Sequence, residues 1–236
     1  MRARLSVVIP TLMAEDALRQ SLPALSEGLH SGLVRELIIS DGGSRDATQQ
    51  IAEAAGARMV TGVASRGGQL RRGAELAEGD WLLFLHADCV LPAGWAQAVT
   101  RHLESEGAAA FRLGYDVDGL APALVSGWAN LRSRMFGLPY GDQALLIERE
   151  VYDTVGGYAD IPLMEDVAMA RALRGQITLL PLTVLTSSEK YRREGWLKRG
   201  ARNLLCLARF LMGADPQTLA KRYDQVGGSA PQNQGL

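Results

Sequence analysis

The sequence predicts an α/β fold, a mostly parallel sheet flanked by helices, and three observations predict it. A short apolar run, Trp81–Leu85, ends directly in His86-Ala87-Asp88, the pattern of a buried strand whose polar groups emerge at its C-terminal end. Apolar runs alternate with helical patterns from residue 5 to residue 113. The chain has 236 residues, 47% hydrophobic and 22% charged, enough for one domain with a sizeable core.

Each element has its own warrant. Leu5–Ile9 reads as the first strand, Glu15–Glu27 as a helix and Glu36–Ser40 as the second strand. Asp46–Ala55 is helical, Arg58–Thr61 a short strand, and Gly68–Ala77 a helix opened by a glycine turn. Trp81–Leu85 is the fourth strand, Gly94–Leu103 a helix and Ala108–Leu113 the fifth strand. The second half is less regular. Pro122–Phe136 reads as a helix stopped at Gly137-Leu138-Pro139, and Gln143–Ile147 as a strand. After the Gly156-Gly157 turn come a helix at Asp166–Leu173 and two β segments, Ile177–Leu180 and Thr183–Thr186, around Pro181. Trp196–Met212 is a strongly amphipathic helix, and Pro216 opens a last one that ends near Tyr223. Residues 1–224 are expected to form a single domain. Residues 225–236, rich in Gly, Ser, Pro, Gln and Asn, are expected to be a disordered tail.

Composition excludes several classes. Twenty-five basic residues nearly balance 26 acidic ones, so no overall positive field points to nucleic acid. Cys89 and Cys206 have no metal-type spacing and suit a reducing compartment. The apolar run after the basic start is too short for a signal peptide, and no window matches a membrane span. A cytoplasmic location is expected. The basic amphipathic segment Trp196–Met212 is read as covering the domain's own core with its basic face in water; contact with the inner face of a membrane is the minority reading.

In open α/β sheets, ligands bind beyond the C-terminal ends of the strands. There the chain offers Thr11 with Glu15, Asp41-Gly42-Gly43-Ser44, and His86 with Asp88. His86 and Asp88 offer a divalent cation a nitrogen and an oxygen ligand, or else form a polar turn with a capping Asp. Asp41 and Ser44 line a ligand or make an ordinary turn. Arg66-Gly67-Gly68 opens a helix, and a phosphate site and a plain helix start fit it equally. Gly141-Asp142-Gln143 precedes a strand. Glu165-Asp166 starts a helix, as caps or with one carboxylate serving as general base. Lys190-Tyr191-Arg192-Arg193 supplies cations for a diphosphate, or is a solvated basic loop.

Taken together, "SVVIPT", "ELIISDGGSRDAT", "GGQLRRGAELAEGDWLLFLHADCVLP", "GGYADIPLMEDVAMARAL" and the arginines after Tyr191 resemble glycosyltransferase family 2, in that family's order and over roughly residues 5–195. The "LFLHAD", "GDQ" and "PLMEDV" variants are most similar to a short bacterial subgroup associated with arsenosugar biosynthesis. The resemblance implies a GT-A type fold, with a C-terminal amphipathic helical segment. It implies an inverting glycosyltransferase that moves a sugar from a nucleotide-diphosphate donor, a UDP-sugar foremost, to a hydroxyl acceptor, with Mg²⁺ or Mn²⁺.

It also implies roles. Pro10, Thr11 and Glu15 would line the nucleoside pocket, Asp41 would bind the base, and Arg66, Arg192 and Arg193 would hold the nucleotide. His86-Ala87-Asp88 stands where the family carries Asp-x-Asp, so Asp88 would coordinate the metal with His86 beside it. Asp166 would be the general base, with Asp142 and Glu165 on the acceptor side. Two positions depart from the pattern. Met13-Ala14-Glu15 replaces the usual Asn-Glu pair, and His86 replaces the first Asp, lowering the negative charge offered to a hard cation.

Three rivals rank lower. A nucleotidyltransferase carries a glycine-rich basic loop after the first strand, and Pro10–Asp16 contains no glycine. The same segment lacks the G-x-G-x-x-G turn of a dinucleotide oxidoreductase. A non-catalytic nucleotide-sugar binding module would be favoured by loss of Asp88 or Asp166, and both are present.

Overall fold

A computed structural model describes residues 3–227, apart from Glu106 and Arg174. The first half winds as β1 (Leu5–Thr11), α1 (Glu15–Ser21), a 3-10 turn (Leu22–Leu25), α2 (Ser26–His30), β2 (Val34–Asp41), α3 (Thr48–Ala54) and β3 (Arg58–Thr61). It continues through α4 (Arg66–Leu76), β4 (Trp81–Phe84), a two-residue β5 (Cys89–Val90) and α5 (Trp95–His102). The second half comprises β6 (Ala108–Tyr115), α6 (Leu120–Phe136), a 3-10 turn (Gly141–Gln143), β7 (Leu145–Glu148) and α7 (Arg149–Thr154). It ends with α8 (Glu165–Ala172), β8 (Ile177–Thr186), α9 (Glu189–Glu194), α10 (Trp196–Leu211) and α11 (Pro216–Gly227).

The strands form one sheet in the order β3-β2-β1-β4-β7-β6-β8-β5. The pairs β1–β2, β1–β4, β2–β3 and β6–β8 are parallel, as the alternating sequence pattern requires. Side-chain alternation divides the core between the two faces. Val7, Ile9, Leu83 and Leu85 join Trp81, Trp95 and Phe111 on one face. Val8, Ile38, Leu82 and Phe84 join Leu145, Ile147, Tyr152 and Tyr158 on the other. Burial on both faces explains why these strands read as unbroken apolar runs.

The structure corrects several expectations. The sheet order, which the sequence reading did not address, keeps its fifth strand, β6, apart from β4. β7 is inserted between them and runs antiparallel to both. The two β segments around Pro181 are one strand, and its pairing with β6 shifts register between Ala110 and Arg112. A proline lacks the ladder N–H, so the irregularity accommodates it. The basic stretch after Ser188 is helical rather than a loop. The basic side of α10 is not all in water: Arg199 donates to Glu194 Oε1 at 2.7 Å and Arg202 pairs with Glu194 Oε2, all three side chains being largely buried. The last helix runs past Tyr223 to Gly227, into the stretch expected as a tail; residues 228–236 lie outside the described residues. Among the described residues no helix is long and apolar enough to cross a membrane.

Arg149 locks the two halves together. It opens α7, and its guanidinium donates to the carbonyls of Gly79 (3.0 Å), Ala77 (2.7 Å) and Ala74 (3.4 Å) at the end of α4. Its own N–H bonds the Asp80 carbonyl, just before β4. A cation at a helix C-terminus satisfies carbonyls that have no partner within the helix. Arg149→Met should therefore lower unfolding stability by about 1.5–3 kcal/mol, the scale of hydrogen bonds to a charged group. Urea denaturation measures it, and an unchanged midpoint would remove Arg149 from this role.

Candidate active site

The site is built at the C-terminal ends of β1, β2 and β4. Thr11 ends β1 and Asp41 ends β2, side by side in the parallel register. Asp41 is fully buried. Its Oδ2 accepts from the N–H groups of Gly43 (2.8 Å) and Ser44 (2.7 Å). Its Oδ1 accepts from Thr11 Oγ1 (2.9 Å) and Ser44 Oγ (2.6 Å). Burial opposes ionisation, yet these bonds, led by those from Ser44, hold the carboxyl below the usual range. A carboxylate offers about four acceptor positions. The turn uses all four, which leaves none for a ligand in this arrangement.

The segment after β1 is stitched to the loop after β2. Met13 N–H donates to Ser44 Oγ (2.8 Å), Ala14 N–H to Thr48 Oγ1 (2.9 Å) and Glu15 N–H to Asp46 Oδ2 (3.1 Å). Glu15 returns the contact by accepting from Ala47 N–H at 3.2 Å. Gln69, on α4, completes the frame. Its buried amide donates to the carbonyls of Thr11 (2.7 Å) and Ser40 (3.1 Å). Sequence reasoning passed over Gln69; the available signal was a polar residue at the buried start of a glycine-opened helix.

The glycine pair before Gln69 has a packing role. A Cβ at Gly67 would run into the carbonyl oxygen of Ala159, and one at Gly68 into the Asp160 carboxylate. Gly67 N–H donates to the Ile161 carbonyl at 3.1 Å, and Ser65 Oγ donates to Asp160 Oδ1 at 2.6 Å. The N-terminus of α4 is thus covered by the protein's own 159–161 segment, which carries the chain toward Glu165-Asp166.

At the end of β4 the chain turns through His86, Ala87 and Asp88 into β5. Ligand atoms of His86, Asp88 and Cys89 lie within 4.8 Å of one another. Burial, with help from the Arg66 cation, pushes the His86 imidazole down to about 3, so the ring is neutral. Cys89 is different. Its thiol is buried, donates to the Asp142 carbonyl at 3.4 Å, and is pushed well up by burial. The 3-10 turn Gly141–Gln143 closes over this strand end. A Cβ at Gly141 would collide with the His86 ring. Gln143 anchors the turn: its Nε2 donates to the Phe111 carbonyl (3.0 Å), and its Oε1 accepts from Ser133 Oγ (2.6 Å). Asp142 lies within the turn, with a buried Oδ1 that has no partner, and burial pushes its carboxyl up to about 6.

The start of α8 meets the same turn. Gly141 N–H donates to Asp166 Oδ2 (2.8 Å), while Val167 N–H donates to Oδ1 (2.7 Å). Each Asp166 oxygen retains acceptor capacity. Glu165 points elsewhere. It is 1% exposed, and its Oε1 lies 3.6 Å from Arg66 Nε. Burial pushes its carboxyl up to about 8, with Arg66 pulling the other way. Arg66 feels the charges of Glu165, Asp166 and Asp88 together. Lys190, on α9, is the further cation coupled to Asp88. Arg192 and Arg193 are exposed on the same short helix, and the charged neighbour of Arg193 is Glu194, at 3.9 Å. The structure therefore gathers His86, Asp88, Asp142 and Asp166 with Arg66 and Lys190. Pro10, Thr11, Glu15 and Asp41 form the wall along β1 and β2.

The model of glycosyl transferase family 2 matches residues 6–152. A glucosyl-3-phosphoglycerate synthase of Mycolicibacterium paratuberculosis is 36% identical over 97 residues, which is 37% of this chain but only 29% of that protein. Among solved structures, glucosyl-3-phosphoglycerate synthase from Mycobacterium tuberculosis, in complex with Mn²⁺, UDP and glucosyl-3-phosphoglycerate, superposes with a TM-score of 0.57. The pair are 22% identical, over 77% of this chain and 70% of that one. Residues 1–349 of S. aureus TarS, with UDP-GlcNAc, give 0.62 at 16% identity, covering 78% and 58% of the two chains. The mannosyltransferase PcManGT from Pyrobaculum calidifontis, with GDP-Man and Mn²⁺, gives 0.62 at 14%, covering 96% and 69%. These likenesses establish the GT-A type fold.

Two tests follow. Gly67→Ala should cost several kcal/mol or displace the 159–161 segment, because backbone cannot yield as a side chain does; thermal melting and amide exchange of that segment report it, and wild-type values in both would contradict the packing role. Glu165 gives a pH signature. Its folded carboxyl titrates near 8, above its ordinary 4.5, so between those values the folded state binds the extra proton. Wild-type stability should then fall as pH rises through that window, by at most about 1.4 kcal/mol per pH unit from this group. Glu165→Gln carries no such proton, so its stability should gain on the wild type from pH 5 to pH 9. Parallel stability curves would contradict the assignment.

Proposed function

Because this chain belongs to glycosyl transferase family 2, we propose that it is an inverting enzyme that moves a sugar from a nucleotide-diphosphate donor, a UDP-sugar, to a hydroxyl acceptor. One observation carries the reading. A carboxylate with free acceptor capacity, Asp166, is held at the same strand end as Asp88 and the cations Arg66 and Lys190. Charge neutralisation and proton removal are thus available at one place.

In this reading, the donor's nucleoside lies along the β1 and β2 ends, in a pocket walled by Pro10, Thr11 and Glu15. Asp41 shapes that wall by holding its turn. Arg66 and Lys190 attract the diphosphate and stabilise the charge that develops on it as it leaves. Asp166 accepts the proton of the acceptor hydroxyl. The acceptor oxygen bonds to the anomeric carbon while the carbon–oxygen bond to the diphosphate breaks, and the electron pair departs with the diphosphate. A single displacement inverts the anomeric centre. Asp142 sits beside the acceptor path, and Glu165 is the buried partner that fixes Arg66.

A divalent ion, Mg²⁺ or Mn²⁺, fits the Asp88 end of the site. The neutral His86 ring keeps a nitrogen lone pair, and His86 Nε2 and Asp142 Oδ1 are buried polar atoms without protein partners. Asp88 would hold the ion, with His86 beside it; the protonated Cys89 thiol does not suit a hard cation. When bound, the ion would supply Lewis-acid stabilisation of the leaving diphosphate. Complexes with Mn²⁺ and UDP or GDP-Man in structural neighbours support both the ion and the donor class. The finer placement in the arsenosugar-associated subgroup rests on the "LFLHAD", "GDQ" and "PLMEDV" variants alone.

A screen of UDP-sugars and other nucleotide sugars for hydrolysis, with and without Mn²⁺, identifies the donor. With that donor, Asp166→Asn should lose about 10²–10⁴-fold in turnover while keeping donor affinity. Near-normal turnover would remove Asp166 as the base. Asp88→Ala should abolish the Mn²⁺-dependent part of UDP binding in calorimetry and leave the melting temperature in place. Wild-type affinity in that variant would remove the metal assignment.

A further inference from the structure

Helices α6 and α10 pack against one another, and each turns an apolar stripe outward. On α6, Leu120, Leu124, Trp128, Leu131 and Met135 recur every three or four residues and are all exposed, from 49% to 87%. On α10, Leu197, Leu204 and Leu211 do the same at intervals of seven, two turns apart. Another side of α10, with Cys206, Leu207 and Phe210, packs inward against Met164, Val167 and Leu219, so the outward stripe is a second apolar face. Arg199 and Arg202 also turn inward, onto Glu194 and over the Tyr223 ring, while Leu197, Leu204 and Leu211 stay outside. A contiguous exposed apolar patch of this kind marks an interaction surface.

The charge on this face has one sign. Neither helix contains an acidic residue, and Lys198 and Arg134 are exposed among the apolar positions. At the C-terminal end of α6 the patch runs into an open groove of about 1130 Å³, where Arg112, Arg134 and Arg171 lie beside Leu131, Phe136 and Leu179. We propose that the α6–α10 face docks on an anionic lipid bilayer, with the exposed leucines in the acyl boundary, Trp128 at the headgroup level, and Arg112, Arg134, Arg171 and Lys198 on phosphate headgroups. Exposed leucines flanked by cations are the pattern of an interfacial helix, and tryptophan favours the headgroup level. A second copy fits less well. A two-fold contact would oppose two such faces with no carboxylate in either helix to receive the cations. Residues 228–236 include only Ala230 and Leu236 as apolar side chains beyond Pro231, too few to cover both helices.

Vesicle sedimentation of the full chain tests the proposal without reference to sugar transfer. The vesicles are phosphatidylcholine alone, or an equimolar mixture with phosphatidylglycerol. The wild type should bind the mixed vesicles at least about tenfold more tightly, and raised salt should weaken the difference. The double substitution Leu124→Glu with Leu204→Glu should abolish binding, and Lys198→Glu should weaken it. All these side chains are exposed, so circular dichroism and melting should match the wild type and show that the fold survives. Failure to sediment with either vesicle overturns the proposal, as does equal binding to both. A concentration-dependent dimer that the double substitution dissolves, without vesicle binding, would assign the face to a second copy instead.

Discussion

The candidate centre depends on the hydrogen bond from Gly141 N–H to Asp166 Oδ2. It joins two elements far apart in sequence, the turn before β7 and the start of α8. Its donor residue must be glycine, because a Cβ there would occupy the space of the His86 ring. His86 in turn is fixed by the end of β4, between β1 and β7 in the sheet. One short backbone contact therefore couples the strand end that bears Asp88 to the helix that bears Asp166. Gln143 secures the turn from behind through Phe111 and Ser133, in the buried layer between β6 and α6. The insertion of antiparallel β7 is what brings this turn to the strand ends.

Backbone strain gathers at the same joins. Three non-glycine residues have positive φ: Met13 at 51°, Ala144 at 50° and Met164 at 67°. Met13 follows β1, Ala144 follows the Gly141–Gln143 turn, and Met164 precedes Glu165. Each costs on the order of 1–3 kcal/mol and persists only where its surroundings fix it. The fixing contacts are visible: Ser44 Oγ accepts from Met13 N–H, and Met164 is buried with Val167, Cys206 and Leu207. Strain of this sort aims the loops at one point, as a preorganised site requires.

Much of this was legible in the sequence. Strands buried on both faces give unbroken apolar runs, so β1, β2, β4 and β6 were found within a few residues. Asp88 was named from its place after the fourth strand, whereas the choice of Asp166 over Glu165 came from the family resemblance. What stayed hidden depended on long-range packing. Gly67 and Gly68 fitted a phosphate site and a plain helix start equally, but the contact that demands them comes from residues 159–161. Arg192 and Arg193 looked equivalent to Lys190 in a row of cations, and only the helical turn of α9 separates them. Glu165 and Asp166 are neighbours whose different directions set one under Arg66 and the other on Gly141. The amphipathic pattern of α10 was plain, but periodicity does not say which face is inside. Glu194 and the Tyr191, Tyr115 and Trp196 rings decide it.

The central claim is that one carboxylate, Asp166, serves a single displacement at this centre. The anomeric configuration of the transferred sugar tests it most directly. Proton NMR of the product, recorded at early turnover with a donor of known anomer, reads the configuration from the coupling of the anomeric proton. The account predicts inversion relative to the donor. Retention would contradict it, because a retained configuration requires two displacements or front-face attack, which this arrangement of Asp166 does not provide.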